Sequence, residues 1–250
     1  MKYFNQNDYG NVPYPSPTAP NATIKSGGCG PTCAAMIVSN LTSKVVDPKA
    51  MATYAIQKKA RVAGGTDMHV LSKAIAADYG LTYATTNDES VLLQHLRSGG
   101  IAIANVGGNR PGYKGVFSDG GHYVVVAGIA SDGKAMVLDP GYYAGKFNKF
   151  GRVGKVKVSG NICYCDIGVL AKDTEIRKPA YYLFKNATKE VVRLFKDIAN
   201  HWSKKDVEWL ADNGIIAKAD KFRPNDNITR AETAAMIARS IEYVLKQVKG

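Results

Sequence analysis

Cys29 stands in the stretch Ser26-Gly27-Gly28-Cys29-Gly30-Pro31-Thr32, directly ahead of an apolar segment running from Thr32 to Leu41. That placement suits a nucleophilic thiol. A helix N-terminus offers unpaired backbone donors and the positive end of a dipole, and both stabilise a thiolate. The flanking glycines let a substrate carbonyl come close to the sulfur. A thiolate nucleophile needs a base that takes and returns a proton, and a third group that orients the base. His122 follows Asp119-Gly120-Gly121 and opens the strand-like run His-Tyr-Val-Val-Val-Ala, while Asp139 closes the next such run, Val137-Leu138-Asp139-Pro140. If the two runs are neighbours in a hairpin, the His and Asp ends lie close together. Asp119 and Asp132 are rivals for the third place. Asp139 is preferred because it terminates a strand and does not sit in a turn.

The remaining candidates read more plainly. Cys33, one helical turn beyond Cys29, is expected in the core. His69 is expected at a helix start on the surface, and His95 and His201 are expected to be structural. Cys163 and Cys165 alternate in Ile-Cys-Tyr-Cys-Asp, so in a strand they share one face. Four cysteines with one gap of three residues and another of one do not match zinc-ribbon spacing, so no metal is expected. No cofactor is implied either.

The elements that must position these residues follow from periodicity. Residues 1–28 are rich in Pro, Asn, Gly and Tyr and read as extended and looping. Gly30-Pro31 opens a helix that is apolar nearly all round and hence buried. Helical patterning is expected over Asp47 to Ala63, Asp67 to Tyr79 (closed by Gly80) and Ser90 to Arg97. From Gly100 the period changes to strands at 101–105, 122–127, 135–139 and 180–184. Helices first and strands afterwards predict an α+β domain with an antiparallel sheet. Residues 186–194 form a polar joint. Beyond it, Lys204 to Asn213 and Thr229 to Gln247 read as two helices, too little chain for a large core of its own.

The formal net charge is +12, with the basic excess mainly before residue 185. A positive field concentrates polyanions. Nucleic acid is one such partner and anionic wall polymers are another. There is no basic run with interleaved aromatics and no nucleic-acid-binding signature, so nucleic acid is not expected. A basic enzyme whose charge has no specific partner is the plain alternative. No apolar run approaches the ~20 residues of a membrane helix, so no membrane partner is expected. If Met1 is the native start, the N-terminus lacks a signal peptide. The protein would then be made in the cytoplasm and reach a wall through host lysis; it would be secreted if a signal peptide has been removed. A cytoplasmic origin argues against disulfides.

The segment Asn5-Gln6-Asn7-Asp8-Tyr9, followed by Ser26 to Thr32, resembles the papain-like cysteine peptidase family that includes bacteriocin-leader (double-glycine) peptidases and their stand-alone relatives. Gly121-His122-Tyr123 and Asp139-Pro140 match its later motifs, and the likeness spans roughly residues 1–185. The resemblance implies a papain-like fold, with Cys29, His122 and Asp139 as the triad. It also implies that Gln6 donates a side-chain N–H to the oxyanion, beside the backbone N–H of Cys29. The chain carries no transporter membrane domain, which favours the stand-alone branch.

Five patches after the joint, Phe195-Lys196-Asp197-Ile198, His201-Trp202 with Val207 to Leu210, Gly214 to Ile216, Phe222 to Asn225 and Ile228 to Glu232, resemble one S-layer-homology repeat over residues 190–250. Thr229 and Glu232 have capping-box spacing, which leaves Arg230 free to meet an anion. The resemblance implies binding to pyruvylated secondary wall polysaccharide, with Trp202, Arg230 and Glu232 as the expected contacts. Such modules usually come in threes, so one copy predicts either weak binding or a trimer between chains. The combined expectation is an endolysin-type cysteine peptidase or amidase that cuts peptidoglycan peptides. A leader peptidase and a non-catalytic wall-binding protein are the alternatives.

Overall fold

The computed structural model describes residues 1–187, 195–217 and 219–248. They fall into two compact units, Met1–Thr188 and Lys189–Gly250. The joint expected at 186–194 lies, from residue 188 on, outside the described residues; Asn186 itself ends a strand.

The first unit is built on a seven-stranded antiparallel sheet. Its strands are β3 (Leu81–Thr86), β4 (Ile101–Val106), β5 (His122–Ile129), β6 (Ala135–Leu138), β7 (Val156–Ser159), β8 (Ile162–Cys165) and β9 (Tyr181–Asn186), in the order β3-β9-β4-β5-β6-β8-β7. The helices are α1 (Ile24–Gly27), α2 (Cys29–Leu41), α3 (Pro48–Gln57), α4 (Met68–Tyr79), α5 (Glu89–Arg97) and α6 (Ile167–Thr174), and a two-stranded hairpin, β1 (Arg61–Val62) with β2 (Gly65–Thr66), lies between α3 and α4.

Side-chain alternation along the strands divides the interior into two layers. Ile103, Val125, Tyr182 and Phe184 face a core filled by α2, α3 and α4. Ala102, Ala104, Val124, Val126 and Leu183 face a second core with Leu92 and Leu96 of α5 and Leu170 of α6. Because helices cover both faces, β4 and β5 read as continuous apolar runs. The predicted α+β architecture with an antiparallel sheet is what the chain adopts.

Local chemistry explains the element ends. Asp67 caps α4 by accepting from His69 N and Val70 N, and Gly80 closes that helix at φ +67. The expected helix from Asp47 to Ala63 is shorter. Asp47 caps it, but Lys59 turns to φ +58, and Ala63-Gly64 form the two-residue turn of the β1–β2 hairpin. The opening segment is not wholly irregular: Gln6–Tyr9 is a turn of 3-10 helix. Cys163 and Cys165 both point into the second core from β8, as their alternation requires.

The loop from residue 107 to 121, which delivers His122 to the sheet, is pinned by one buried carboxylate. Asp173 on α6 accepts from Val116 N, Phe117 N and the Tyr113 hydroxyl at 2.7–3.2 Å. Arg152 adds a bond to Gly115 O and an ion pair with Asp119.

In the second unit, α7 (Lys204–Asp212) and α8 (Arg230–Val248) follow a 3-10 turn at Lys196–Ile198. Phe195, Ile198, Val207, Ala211, Ile215 and Ile216 form its small core. Asp197 accepts from Phe222 N and Arg223 N, closing the loop that leads to α8.

Replacing Asp173 by Ala strands two buried backbone donors and a phenol. The N-terminal unit should lose about 3 kcal/mol of stability. Urea unfolding read by near-ultraviolet circular dichroism checks this, because tyrosines dominate that unit; both tryptophans, Trp202 and Trp209, lie in the other.

Candidate active site

Cys29 is the first residue of α2, and Gly28 and Gly30 on either side of it are there for space. A Cβ on Gly28 would lie 2.6 Å from Ile24 O, and one on Gly30 would lie 2.5 Å from the Thr66 side chain. Glycine is therefore required both for the α1–α2 corner and for the approach of β2. These contacts fix Cys29 at the helix N-terminus, where the residue as a whole is partly exposed.

His122 begins β5. Its Nε2 lies 2.9 Å from Asp139 Oδ1, and its side chain is 9% exposed. With Nε2 so occupied, Nδ1 is the ring nitrogen left for Cys29, whose thiol lies close enough to interact with the imidazole. Asp139 immediately follows β6, the hairpin partner of β5, and is fully buried. Its Oδ1 also accepts from Gly141 N at 2.9 Å, and its Oδ2 accepts from Lys146 Nζ at 2.5 Å. The rival aspartates lie elsewhere. Asp119 is paired with Arg152 and bonded to Asn109, and Asp132 accepts from Lys134 N in the turn at the other end of the β5–β6 hairpin.

Electrostatics follow from these contacts. Burial pushes the Cys29 thiol up, but the hydrogen bond and positive charge of His122, with the backbone N–H groups of Tyr123 and Gly30, hold it below its ordinary value. Burial works against the imidazolium of His122, yet Asp139 and Cys29 raise it to about 9. Burial would also raise Asp139, and His122 and Lys146 together keep its carboxyl below the usual range. The three groups thus favour a thiolate–imidazolium pair with an ionised carboxylate behind it.

The family model described as the Peptidase_C39 like family matches residues 1–155 of the 250. The chain belongs to that family. This Peptidase_C39-like protein is thereby a member of a cysteine peptidase family, and its α+β fold is consistent with the papain-like type. No curated protein matches the chain at a significant level.

Gln6 is 8% exposed, and its Nε2 donates at 2.8 Å to Lys25 O on α1, the short helix that precedes Cys29. One amide hydrogen remains unassigned, and the buried Oε1 has no partner among the described residues. The N-terminal segment is laced to the segment after Asp139: Gln6 N donates to Pro140 O, Asn5 Nδ2 to Tyr142 O, and the Tyr3 hydroxyl to Asp139 O. Cys33 is fully buried, and burial pushes its thiol well up. His69 is exposed with Nδ1 against the Tyr83 hydroxyl, His95 Nε2 bonds Phe184 O, and His201 Nδ1 meets Ser203 Oγ. Among the described residues no group of His, Cys, Asp and Glu is arranged to hold a metal ion. Sequence reasoning missed Lys146, since Gly145-Lys146-Phe147 carries no motif and only the turn back after Asp139 brings its ammonium to the carboxylate.

A second family match, to the S-layer homology domain, covers residues 194–234. That domain associates with cell-wall polysaccharide. In this unit Thr229 N and Oγ1 both donate to Glu232 Oε2, and Glu232 N donates to Thr229 Oγ1, a capping box closed in both directions. Trp202 is 85% exposed beside His201, and Arg230 is exposed with no ion pair among the described residues. No helix among the described residues is long and apolar enough to cross a membrane.

The coupled pair sets a pH profile. As pH falls, the thiolate is protonated below the ordinary thiol range; as pH rises through about 9, His122 loses its charge. Alkylation by the anionic iodoacetate should therefore be bell-shaped, with its descending limb near pH 9. A profile that only rises, with a midpoint at the ordinary thiol value, would show that the pair does not form.

Proposed function

We propose that this protein is a peptidoglycan-degrading cysteine peptidase or amidase of endolysin type, carried to the wall by its S-layer homology domain. The reading rests on one observation above all: the contact chain Cys29–His122–Asp139 at the N-terminus of a buried helix. The wall-type domain in the same chain and the net charge of +12 support an anionic wall as the place of action.

In the proposed reaction the Cys29 thiolate attacks the carbonyl carbon of a wall-peptide amide, and the carbonyl electron pair moves onto oxygen. The backbone N–H of Cys29 and the free amide hydrogen of Gln6 receive that oxyanion. His122 gives its proton to the departing amine as the C–N bond breaks, leaving a thioester. Neutral His122 then draws a proton from water, whose oxygen attacks the thioester. The carboxylic product leaves, and the thiolate–imidazolium pair is restored. Asp139 holds the imidazole in the tautomer this requires.

The wall polymer is assigned to Trp202, Arg230 and Glu232, the last acting through the cap that presents Arg230. Ile237, Ile241 and Val244 project exposed from α8 at helical spacing, which supports association of C-terminal units between chains, with a trimer as the proposed state.

Purified Gram-positive walls should lose turbidity with the wild-type protein and not with Cys29→Ala, and mass analysis of the fragments names the bond. Cys29→Ala should still sediment with the walls. Clearing by both proteins would remove Cys29 from the reaction; clearing by neither would redirect the search to leader peptides or to a purely binding role. Gln6→Ala should fold normally yet lose about 10²–10³ in turnover. Unchanged turnover would take Gln6 out of the oxyanion site.

A further inference from the structure

The reaction above leaves Lys146 unused. Its side chain is 5% exposed, and its Nζ lies 2.5 Å from Asp139 Oδ2 and 3.2 Å from Gly141 O. Lysine is almost never buried unless paired. Here the pairing partner is the same carboxylate that faces His122. Gly145, at φ +79, turns the chain into the 3-10 helix Lys146–Asn148, so the ammonium returns to Asp139 within seven residues.

A charge count shows what the ammonium does. The reactive pair contributes one thiolate and one imidazolium, and Asp139 adds a second anion with no solvent around it. One imidazolium between two anions leaves the cluster a full charge negative. A buried cluster relieves such an imbalance by binding a proton, on sulfur or on the carboxylate. With Lys146 the count returns to zero. Two further cations lie nearby, Arg177 against Gly121 and Arg61 against Gly27, but neither is bonded to Asp139. The other titratable groups packed against that carboxylate supply no cation. They are Tyr3 of the N-terminal segment with Asp8 behind it, Tyr142, Cys33 on α2 and Cys163 on β8. Burial pushes Tyr3 and Cys33 up and Cys163 to about 12.

We propose that Lys146 is a positioning residue of this reaction: its ammonium holds Asp139 ionised and oriented, so that the Cys29 thiolate and the Asp139 carboxylate coexist around the single imidazolium of His122. The proposal rests on Cys29 and His122 being the reactive pair. Lys146 touches neither the sulfur nor the substrate and acts through Asp139.

The test is the iodoacetate profile of the full chain, wild type against Lys146→Met, which keeps an unbranched side chain one atom shorter and removes its charge. Loss of a nearby cation makes every proton in the cluster harder to remove. Both limbs should therefore move to higher pH, by about two to three units for a unit charge about 4–6 Å away at an effective dielectric near 20. Lys146→Arg should leave the limbs where they are. Limbs unmoved in Lys146→Met would overturn the proposal even if the plateau rate dropped, because a mere tether changes amplitude and not midpoints. Should Lys146→Met fail to fold, Lys146→Gln, which can still donate to Asp139 without charge, carries the same comparison. A wild-type profile with no bell would instead sink the Cys29–His122 pair itself, which separates the two failures.

Discussion

An ionised carboxylate with no access to water is held at Asp139, and much of the first unit is arranged around meeting its demands. A buried carboxylate persists only when its lone pairs are met by donors and its charge by cations. One oxygen takes His122 and Gly141 N, the other takes Lys146. The backbone of the same corner is also engaged, with the Tyr3 hydroxyl on Asp139 O and Gln6 N on Pro140 O. Satisfying one carboxylate thus draws the N-terminal segment, the start of β5, the end of β6 and the turn at Lys146 to a single point. Its cost in desolvation becomes the device by which distant pieces of chain find their register.

The other constraint is space at the sulfur. Gly28 must clear Ile24, and Gly30 must clear Thr66, before α2 can begin where it does. Because β2 supplies Thr66, the small β1–β2 hairpin belongs to the cradle of the nucleophile. The Tyr14 hydroxyl, bonded to Thr66 Oγ1 at 2.8 Å and fully buried, locks that hairpin to the opening segment. The glycines are conformational necessities at the helix start, and they also leave the thiol reachable.

How much of this was legible in the sequence depends on whether the signal was local. Cys29 could be read from its glycines and the apolar run behind it, and His122 and Asp139 from their places at strand ends. The Thr229–Glu232 cap could be read from spacing alone, since a helix start is settled within four residues. The β1–β2 hairpin was hidden because Ala52, Ala55 and Ala60 continue a helical pattern past the point where Lys59 reverses the chain. The strand β3 escaped notice because Thr82 to Thr86 carries little apolar weight at the sheet edge. Lys146 was invisible for a stronger reason. Its meaning lies wholly in a partner, and nothing in a Gly-Lys-Phe sequence distinguishes an ammonium bound for solvent from one bound for a buried carboxylate.

The two units use the same ionic chemistry under opposite conditions. Asp139 and Lys146 meet away from water, where their attraction is weakly screened and a missing partner is costly. Arg230 lies in solvent on the helix start that Glu232 caps, where an ion contributes little to stability and remains available to a charged polymer. Under the proposed function this division has a physical logic. Chemistry at Cys29 requires a fixed local charge balance that the salt of the surroundings does not alter. Attachment to a polyanionic wall requires exposed charge that responds to its surroundings and can let go. Rising ionic strength should therefore weaken wall attachment well before it disturbs the reactive thiolate. An enzyme built this way can leave one stretch of wall for the next while its active site stays poised.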